Sequence, residues 1–572
     1  MNSNNDILQI LGEGVKRSSG NQSRRYNLLA ARLIAELVKN SLGPGGLEKM
    51  FIDILGEITV TKDGATLLRK IDVEHPAVKV LIDASNTVDN EVGDGTTSVV
   101  VLAGALMEKA EELLDMGIAP TTIIDGFMYG LDISLDTLHS ISLELENSDR
   151  NTMEKIATTA LGSKAIFYNF ANDHNFSKIL VDAVCGIADF RNKQVEIDDI
   201  KIEEKLGNVS ETQLIKGVVI DKTIDNPSMP KIINEAKILL IDIDLDIGRT
   251  KTNAEIHITS PYQINLFLEE QSLSLLDKLQ KIINSGANIV ISKKGISDMA
   301  QSYLSKAGIM SIRRVKENDI LWIEKATGAK LTRELDNTSK EILGHVKKVY
   351  EKLIGDDKMV FVEGCKDPRS VTLLLRANSK RYLDEYHRSV LDVLFSLRNF
   401  IFKPYIVGGG GAVEMIISSR IRDKANSITG KEQIVIQKFA DALEEIPLTI
   451  ARNSGMNIID TFMHLRSKYS NQHLEDKKTI KWYGIDSAKR KISEMFSCNI
   501  IELSIVKEQI LKTMVEVSTL LIRVDDVLMQ KPAMYTHTHD DGTTHSHSGG
   551  DKKHDHHFDR LGKQQRPMHH YY

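Results

Sequence analysis

The sequence predicts a multidomain protein of α and α/β class, helix-rich toward both ends with an α/β middle. Three observations carry that expectation. The chain has 572 residues, and at about 150 residues per domain this is too long for one core and suggests about four. Its texture changes twice, from helical to strand-rich near Lys237 and back to long helices after Pro404. Hydrophobic residues make up 41% and charged residues 27%, ordinary globular usage that excludes collagen-like, disulfide-scaffold and disordered classes for most of the chain.

Residues 24–42 place Leu29, Leu33, Ile34, Leu37 and Val38 at helical spacing, and Gly43-Pro44 supplies the stop. Residues 57–61 alternate like a strand. Lys62-Asp63-Gly64 then reads as a turn in which Asp63 caps the next helix. Asp94 repeats that setting, because Glu91-Val-Gly-Asp-Gly-Thr-Thr97 runs into the apolar stretch SVVVLAGALMEKAEELL. From Lys237 the pattern KILLIDIDLDI is strand-rich. Helix 265–285, strand 288–292, helix 297–307 and strand 309–312 follow, with Gly286 and Gly308 where glycines end helices. This alternation predicts parallel strands, and no repeat period is sustained. Long helices return at 431–445 and 505–522. Residues 531–572 are rich in His, Thr, Ser, Gly and Asp and poor in aliphatics, so they are expected to be disordered.

Lys+Arg 73 against Asp+Glu 79 gives a net charge of -6, which argues against a general binder of nucleic acid or anionic membranes. Three distant cysteines, Cys185, Cys365 and Cys498, offer neither a disulfide framework nor a CxxC motif. The amino terminus lacks a basic start followed by an apolar region, and the longest apolar stretch, 99–107, is about half a bilayer span. A soluble cytoplasmic protein is the expectation.

Three features have the composition of nucleotide cradles: Leu42-Gly-Pro-Gly-Gly46, Asp94-Gly-Thr-Thr97 and Val407-Gly-Gly-Gly-Gly-Ala412. Glycines let backbone N–H groups approach phosphate, and the second cluster opens a helix whose positive end favours anions. None is a P-loop, and each also fits an ordinary turn. An Asp at a helix start repels a bound phosphate unless a cation bridges them. Magnesium suits, since it takes one or two carboxylates together with phosphate oxygens. Asp94 is then a candidate magnesium ligand, with Thr96 and Thr97 donating to phosphate. Asp63 and Asp94 read equally well as N-caps. In Asp384-Glu-Tyr-His-Arg-Ser-Val-Leu-Asp392, Arg388 and Asp392 have the spacing of a surface ion pair.

In combination these segments closely resemble a group II chaperonin subunit, nearest to the archaeal thermosome and its eukaryotic cytosolic relatives. The resemblance rests on Leu42-Gly-Pro-Gly-Gly-Leu-Glu-Lys-Met50, Asp63-Gly-Ala-Thr66, Glu91-Val-Gly-Asp-Gly-Thr-Thr-Ser98, Gly409-Gly-Gly-Ala-Val-Glu414 and Phe439-Ala-Asp-Ala-Leu-Glu-Glu-Ile-Pro447. Arg17-Ser-Ser-Gly20, Asp72-Val-Glu-His-Pro76 and Arg523-Val-Asp-Asp526 match as well. It implies a mainly helical equatorial domain from both chain ends (1–149 and 404–530) and a small α+β intermediate domain (150–217 and 370–403). Between them it implies an α/β apical domain (218–369) with a helical lid protrusion about 249–275, and after them the His-rich tail (531–572). It further implies double rings of the same or paralogous subunits, in which ATP hydrolysis with Mg2+ closes a chamber around non-native polypeptide.

Carried onto this sequence, Leu42, Gly43 and Pro44 match the nucleotide-cradling turn. Asp94 matches the magnesium ligand beside Gly95, Thr96 and Thr97, and Asp63 and Asp392 match acidic residues that position attacking water. Lys164 matches a γ-phosphate sensor, and Gly410 and Glu502 match the ribose and adenine side. Ile264, Phe267 and Leu268 form an apolar seam in the lid that fits contact with substrate or neighbouring lids, or plain helix burial. Four departures stand out. Gly45 replaces a common Lys, Lys62 replaces Asn, Asn499-Ile-Ile-Glu-Leu503 lacks a usual Gly and Pro, and Leu375-Arg-Ala-Asn378 lacks the hinge glycine. They leave a second reading open, a ring or filament scaffold with weak or vestigial ATPase activity. In the tail, His537-x-His539 and His545-x-His547 have spacing that suits nickel, copper or zinc; the other reading is a solvated tail on the ring's inner floor.

Overall fold

The computed structural model describes residues 15–162, 174–246, 261–335, 340–366, 369–470, 480–530, 534–538 and 544–548. These fall into two compact units, one containing residues up to Tyr26 and from Val524 onward, the other Asn27–Arg523. In the first, Val15–Ser19 pairs antiparallel with Asp526–Gln530, and Arg24 bonds Asp525 at 3.1 Å. The same unit holds an antiparallel hairpin of Met534–Thr538 with Thr544–Ser548. These two strands lie within the stretch 531–572 that the sequence analysis expects to be disordered, and Thr, a strand-favouring residue, recurs along both.

The second unit takes in the part of α1 (Gly20–Lys39) from Asn27 onward, a hairpin of β1 (Lys49–Ile52) and β2 (Ile58–Thr61), and the helices α2 (Gly64–Lys70), α3 (Pro76–Val92), α4 (Thr96–Asp115), α5 (Pro120–Ile141) and α6 (Arg150–Gly162). Asp63 caps α2 as expected. The apolar run 99–107 is buried throughout, so α4 is a central helix, hydrophobic on every side of its first half.

A small sheet holds β3 (Ile200–Leu206) and β4 (Gln213–Ile215), and a larger one holds β5 (Gly217–Ile220) and β6 (Ile232–Ile241). Next come α7 (Pro261–Asn284), β7 (Ile289–Ser292), α8 (Asp298–Lys306), β8 (Met310–Ile312) and α9 (Glu317–Thr327). Strands β9 (Gly344–Ile354) and β10 (Asp357–Cys365) join the larger sheet, whose main path is β8-β7-β6-β9-β10-β5, with Leu331–Thr332 pairing with β6 off that path. The expected parallel strands are present as β6, β7 and β8. β9, β10 and β5 are antiparallel, so the sheet is mixed, with an antiparallel half for which the sequence reading made no prediction. The missed signal is Ile354-Gly355-Asp356-Asp357, a two-residue hairpin loop with positive φ at Gly355.

β11 (Val371–Ala377) joins β3 and β4. Helices α10 (Lys380–Phe402), α11 (Ala412–Ala425), α12 (Lys431–Leu443), α13 (Glu445–Asn453) and α14 (Ser504–Arg523) follow. One core joins the two helical portions of this unit, from Leu28 and Leu106 to Met514 and Ile522, and it includes Phe127 and Phe439 with ring centroids 5.8 Å apart. Each of these two buried rings contributes about 2–3 kcal/mol by leaving water. The mixed sheet and its helices have a separate core running from Val218 to Val362. Where the two meet, buried Lys201 on β3 bonds Asp319 on α9 at 2.5 Å and Glu203 at 3.2 Å. Among the described residues no helix is long and apolar enough to cross a membrane.

Candidate nucleotide site

Asp63 joins two of the loops. Its Oδ2 accepts from the Thr66 N–H at 2.7 Å and its Oδ1 from the Thr96 hydroxyl at 3.0 Å. Gly64 lies so close to Thr97 that a Cβ on it would stand 2.6 Å from the threonine oxygen. Asp94 precedes the Gly95 cap of α4, and no side chain caps that helix. Oδ1 of Asp94 accepts from the Gly95 N–H at 2.7 Å, while Oδ2 has no partner among the described residues. A 20-residue helix thus presents its positive end beside a carboxylate oxygen that is open to a cation.

The turn after α1 is held from two directions. Nδ2 of Asn453 donates to the carbonyls of Lys39 and Leu42 at 3.0 and 2.8 Å, and Nζ of Lys62 donates to the Pro44 carbonyl at 3.1 Å. Gly43 has φ +76 beside Ile450. A Cβ at Gly45 would lie 2.7 Å from the Asn453 carbonyl, so the turn has no room for a side chain there, and the ammonium of Lys62 stands at it. The same helix, α13, meets the third glycine cluster at its other end, where Pro447 packs on Gly411. The motif containing Pro447 was legible in the sequence, but its bracing role was not.

Gly410 has positive φ and donates to Oε1 of Glu502 at 3.3 Å. The other Glu502 oxygen pairs with Lys507 at 2.5 Å, and Lys507 also holds Glu414 at 2.8 Å. Burial alone lowers the Lys507 pKa, but the charges of Glu414 and Glu502 and their hydrogen bonds outweigh it and raise it well above the ordinary lysine value. Its signal in the sequence was a lysine on the apolar stripe formed by Ile510, Met514 and Val517. Asn499 has φ 56, a left-handed conformation that asparagine tolerates better than most residues, so the turn that lost a glycine keeps a glycine-like backbone. Oγ1 of Thr159 on α6 accepts from the Ile501 N–H at 3.3 Å.

Asp392 lies half-buried on α10. One turn further on, Phe395 packs against Gly93, Asn399 donates to the Val92 carbonyl at 2.8 Å and Arg398 to the Glu91 carbonyl at 3.2 Å. Arg388 bonds Glu385 at 3.1 Å through Nε. Lys164 and His539 lie outside the described residues, as do 249–260 of the expected lid. Ile264, Phe267 and Leu268 fall within α7. Among the residues whose side chains are described, no group of three His, Cys, Asp or Glu is arranged to hold a metal. Magnesium needs no such group when phosphates supply the other oxygens.

Residues 34–532 match the model of the TCP-1/cpn60 chaperonin family. The chain belongs to that family. It is 42% identical over 542 residues to the thermosome subunit alpha of Sulfurisphaera tokodaii, covering 92% of this chain and 95% of the relative. It is 42% and 41% identical over 525 residues to the thermosome subunits alpha and beta of Archaeoglobus fulgidus, in each case covering 91% of this chain and 94% of the relative. The chain is accordingly an ATP-dependent chaperonin subunit, of a family whose members are ATPases.

Proposed function

We propose that this chain hydrolyses ATP with magnesium at the loops around Asp63, Asp94 and Gly410, and that hydrolysis closes a double-ring chamber around non-native polypeptide. Asp94 carries the reading, with one oxygen fixed by Gly95 and the other available at an uncapped helix start. Bound magnesium would neutralise charge on the β- and γ-phosphates. Leu42, Gly43 and Pro44, with Thr96 and Thr97, would line the phosphates, and Gly410 and Glu502 the ribose side. Asp63 is held by its two hydrogen bonds in an orientation from which it can order water. Asp392 would reach the same water when the subunit closes, making hydrolysis conditional on closure. The residue assignments follow the family motifs quoted above.

The domain reading is likewise proposed, with the helical core as the equatorial domain and the mixed sheet as the apical one. The separate core of that sheet supports it. Assembly with same or paralogous subunits is supported by the β1–β2 hairpin, which exposes Met50, Ile52, Ile54 and Leu55, more apolar surface than a small isolated hairpin tolerates in water. The left-handed backbone at Asn499 supports the active reading over a scaffold with vestigial activity.

The test is ATP binding and turnover together with particle imaging. Asp94→Asn should lose magnesium-dependent ATP binding. Asp392→Ala should keep binding and slow hydrolysis by roughly a hundredfold or more. Double rings that close with ATP support the proposal, and unchanged turnover in both variants would falsify the site.

A further inference from the structure

The histidine-rich tail plays no part in the chaperonin reading. Nine of the 17 histidines follow Lys531, and the backbone of this region pairs Met534–Thr538 antiparallel with Thr544–Ser548. In that register His537 is paired with His545, and Tyr535 with His547. Residues two apart on a strand share a face, and so do directly paired residues. One face of the hairpin therefore carries the positions of His537, His545, His547 and Tyr535. The opposite face carries Met534, Thr536, Thr538, Thr544, Ser546 and Ser548. All three histidines of the two strands fall on the same face, although composition alone would scatter them over both.

Directly paired positions stand about 5 Å apart, and the next position on the same face is within reach of the same centre. A His-x-His on one strand with a third His across from it is an arrangement that supplies three imidazole nitrogens to one ion, leaving a further position for water. The cysteines, Cys185, Cys365 and Cys498, all lie outside this segment. A nitrogen-only ligand set suits Zn2+, Ni2+ or Cu2+ over the soft Cu+.

We propose that this face of the hairpin, where the backbone register brings the positions of His537, His545 and His547 together, is a binding site for one late first-row divalent cation. An isolated two-stranded hairpin is marginal in water, so the ion also fastens the strands, and its binding energy adds to hairpin stability. The site is independent of nucleotide: none of its residues belongs to the proposed ATP-binding loops.

The test uses the full chain and zinc in equilibrium dialysis. The parent protein should take up one tight equivalent per chain. The composition-neutral double variant Thr544→His/His545→Thr moves one histidine to the opposite face and should weaken that equivalent by about tenfold or more, since even outer-sphere losses cost that much. The triple variant His554→Ala/His556→Ala/His557→Ala should retain it. An unchanged melting temperature in both variants confirms that the body of the protein is intact. Equal zinc affinity in the parent and the swap, or loss of the tight equivalent in the triple variant, overturns the proposal, because uptake would then follow histidine content instead of register.

Discussion

Asp63 has a structural task that can be separated from the chemical one proposed for it. It caps α2 through Thr66 and ties that helix to α4 through Thr96. Asparagine caps nearly as well as aspartate, whereas alanine loses about 1 kcal/mol. Asp63→Asn should therefore unfold within a few tenths of a kcal/mol of the parent, while ATP turnover falls roughly a hundredfold. Asp63→Ala should lose both, and denaturant titration beside steady-state hydrolysis reads the difference. Full turnover in Asp63→Asn would leave the residue only its cap. Gly45 gives the opposite kind of prediction. Restoring the lysine common among relatives puts a Cβ against the Asn453 carbonyl, so Gly45→Lys should destabilise the protein by about 1–3 kcal/mol, as overpacking does, and should not strengthen ATP binding. At this scale the sequence showed Asp63 as a cap, because helix starts have a local signature, whereas the N-cap reading of Asp94 is corrected: Gly95 is the cap there and no side chain caps that helix. The ammonium of Lys62 at Pro44 and the pairing of Lys507 with Glu414 depend on contacts between separate segments, which no local pattern encodes.

Helix α13 spans the distance between two glycine clusters, touching Gly411 through Pro447 and the turn at Leu42 through Asn453. Removing the Asn453 amide leaves two carbonyls without that donor. Asn453→Ala should cost about 1–3 kcal/mol and weaken ATP binding by loosening the turn, although Asn453 itself is not assigned to nucleotide. Calorimetric titration with a non-hydrolysable ATP analogue checks this; unchanged affinity together with lost stability would show that the turn does not depend on its brace. Elements with a strong period were legible in the sequence, among them α1, α4, α8 and the parallel strands β7 and β8. The antiparallel half of the sheet was missed because β9 and β10 lack the helix-strand alternation that announced the rest, and their short Gly355-Asp356 loop was passed over. The brace had no period of its own to reveal it, since its meaning lies in what its two ends touch.

On the scale of the whole molecule, the division of cores bears on what can be removed. The helical core draws on residues from Leu28 to Ile200 and from Val371 to Ile522, while the sheet core runs from Val218 to Val362 and shares no residue with it. The chain enters and leaves the sheet side by side, because Gly217 on β5 is paired with Glu363 on β10, about 5 Å apart. A linker of two or three glycines can therefore replace residues 218–362. The deletion forfeits the Lys201–Asp319 contact and the small cluster that joins Ile215 and Leu374 to Val219, Ile354, Met359 and Phe361. Exposing Ile215 and Leu374 costs about 3–5 kcal/mol, and Lys201 regains water, which offsets part of the loss of its partner. The shortened chain should still unfold in one cooperative transition at a lower temperature and bind ATP within about tenfold of the parent, a loss of about 1.4 kcal/mol, because the proposed loops and their braces all lie in the retained core. Binding to unfolded polypeptide should disappear with the sheet. A chain that unfolds without cooperativity would show that the helical core needs the sheet, and a chain that folds but no longer binds ATP would place part of the nucleotide site within 218–362.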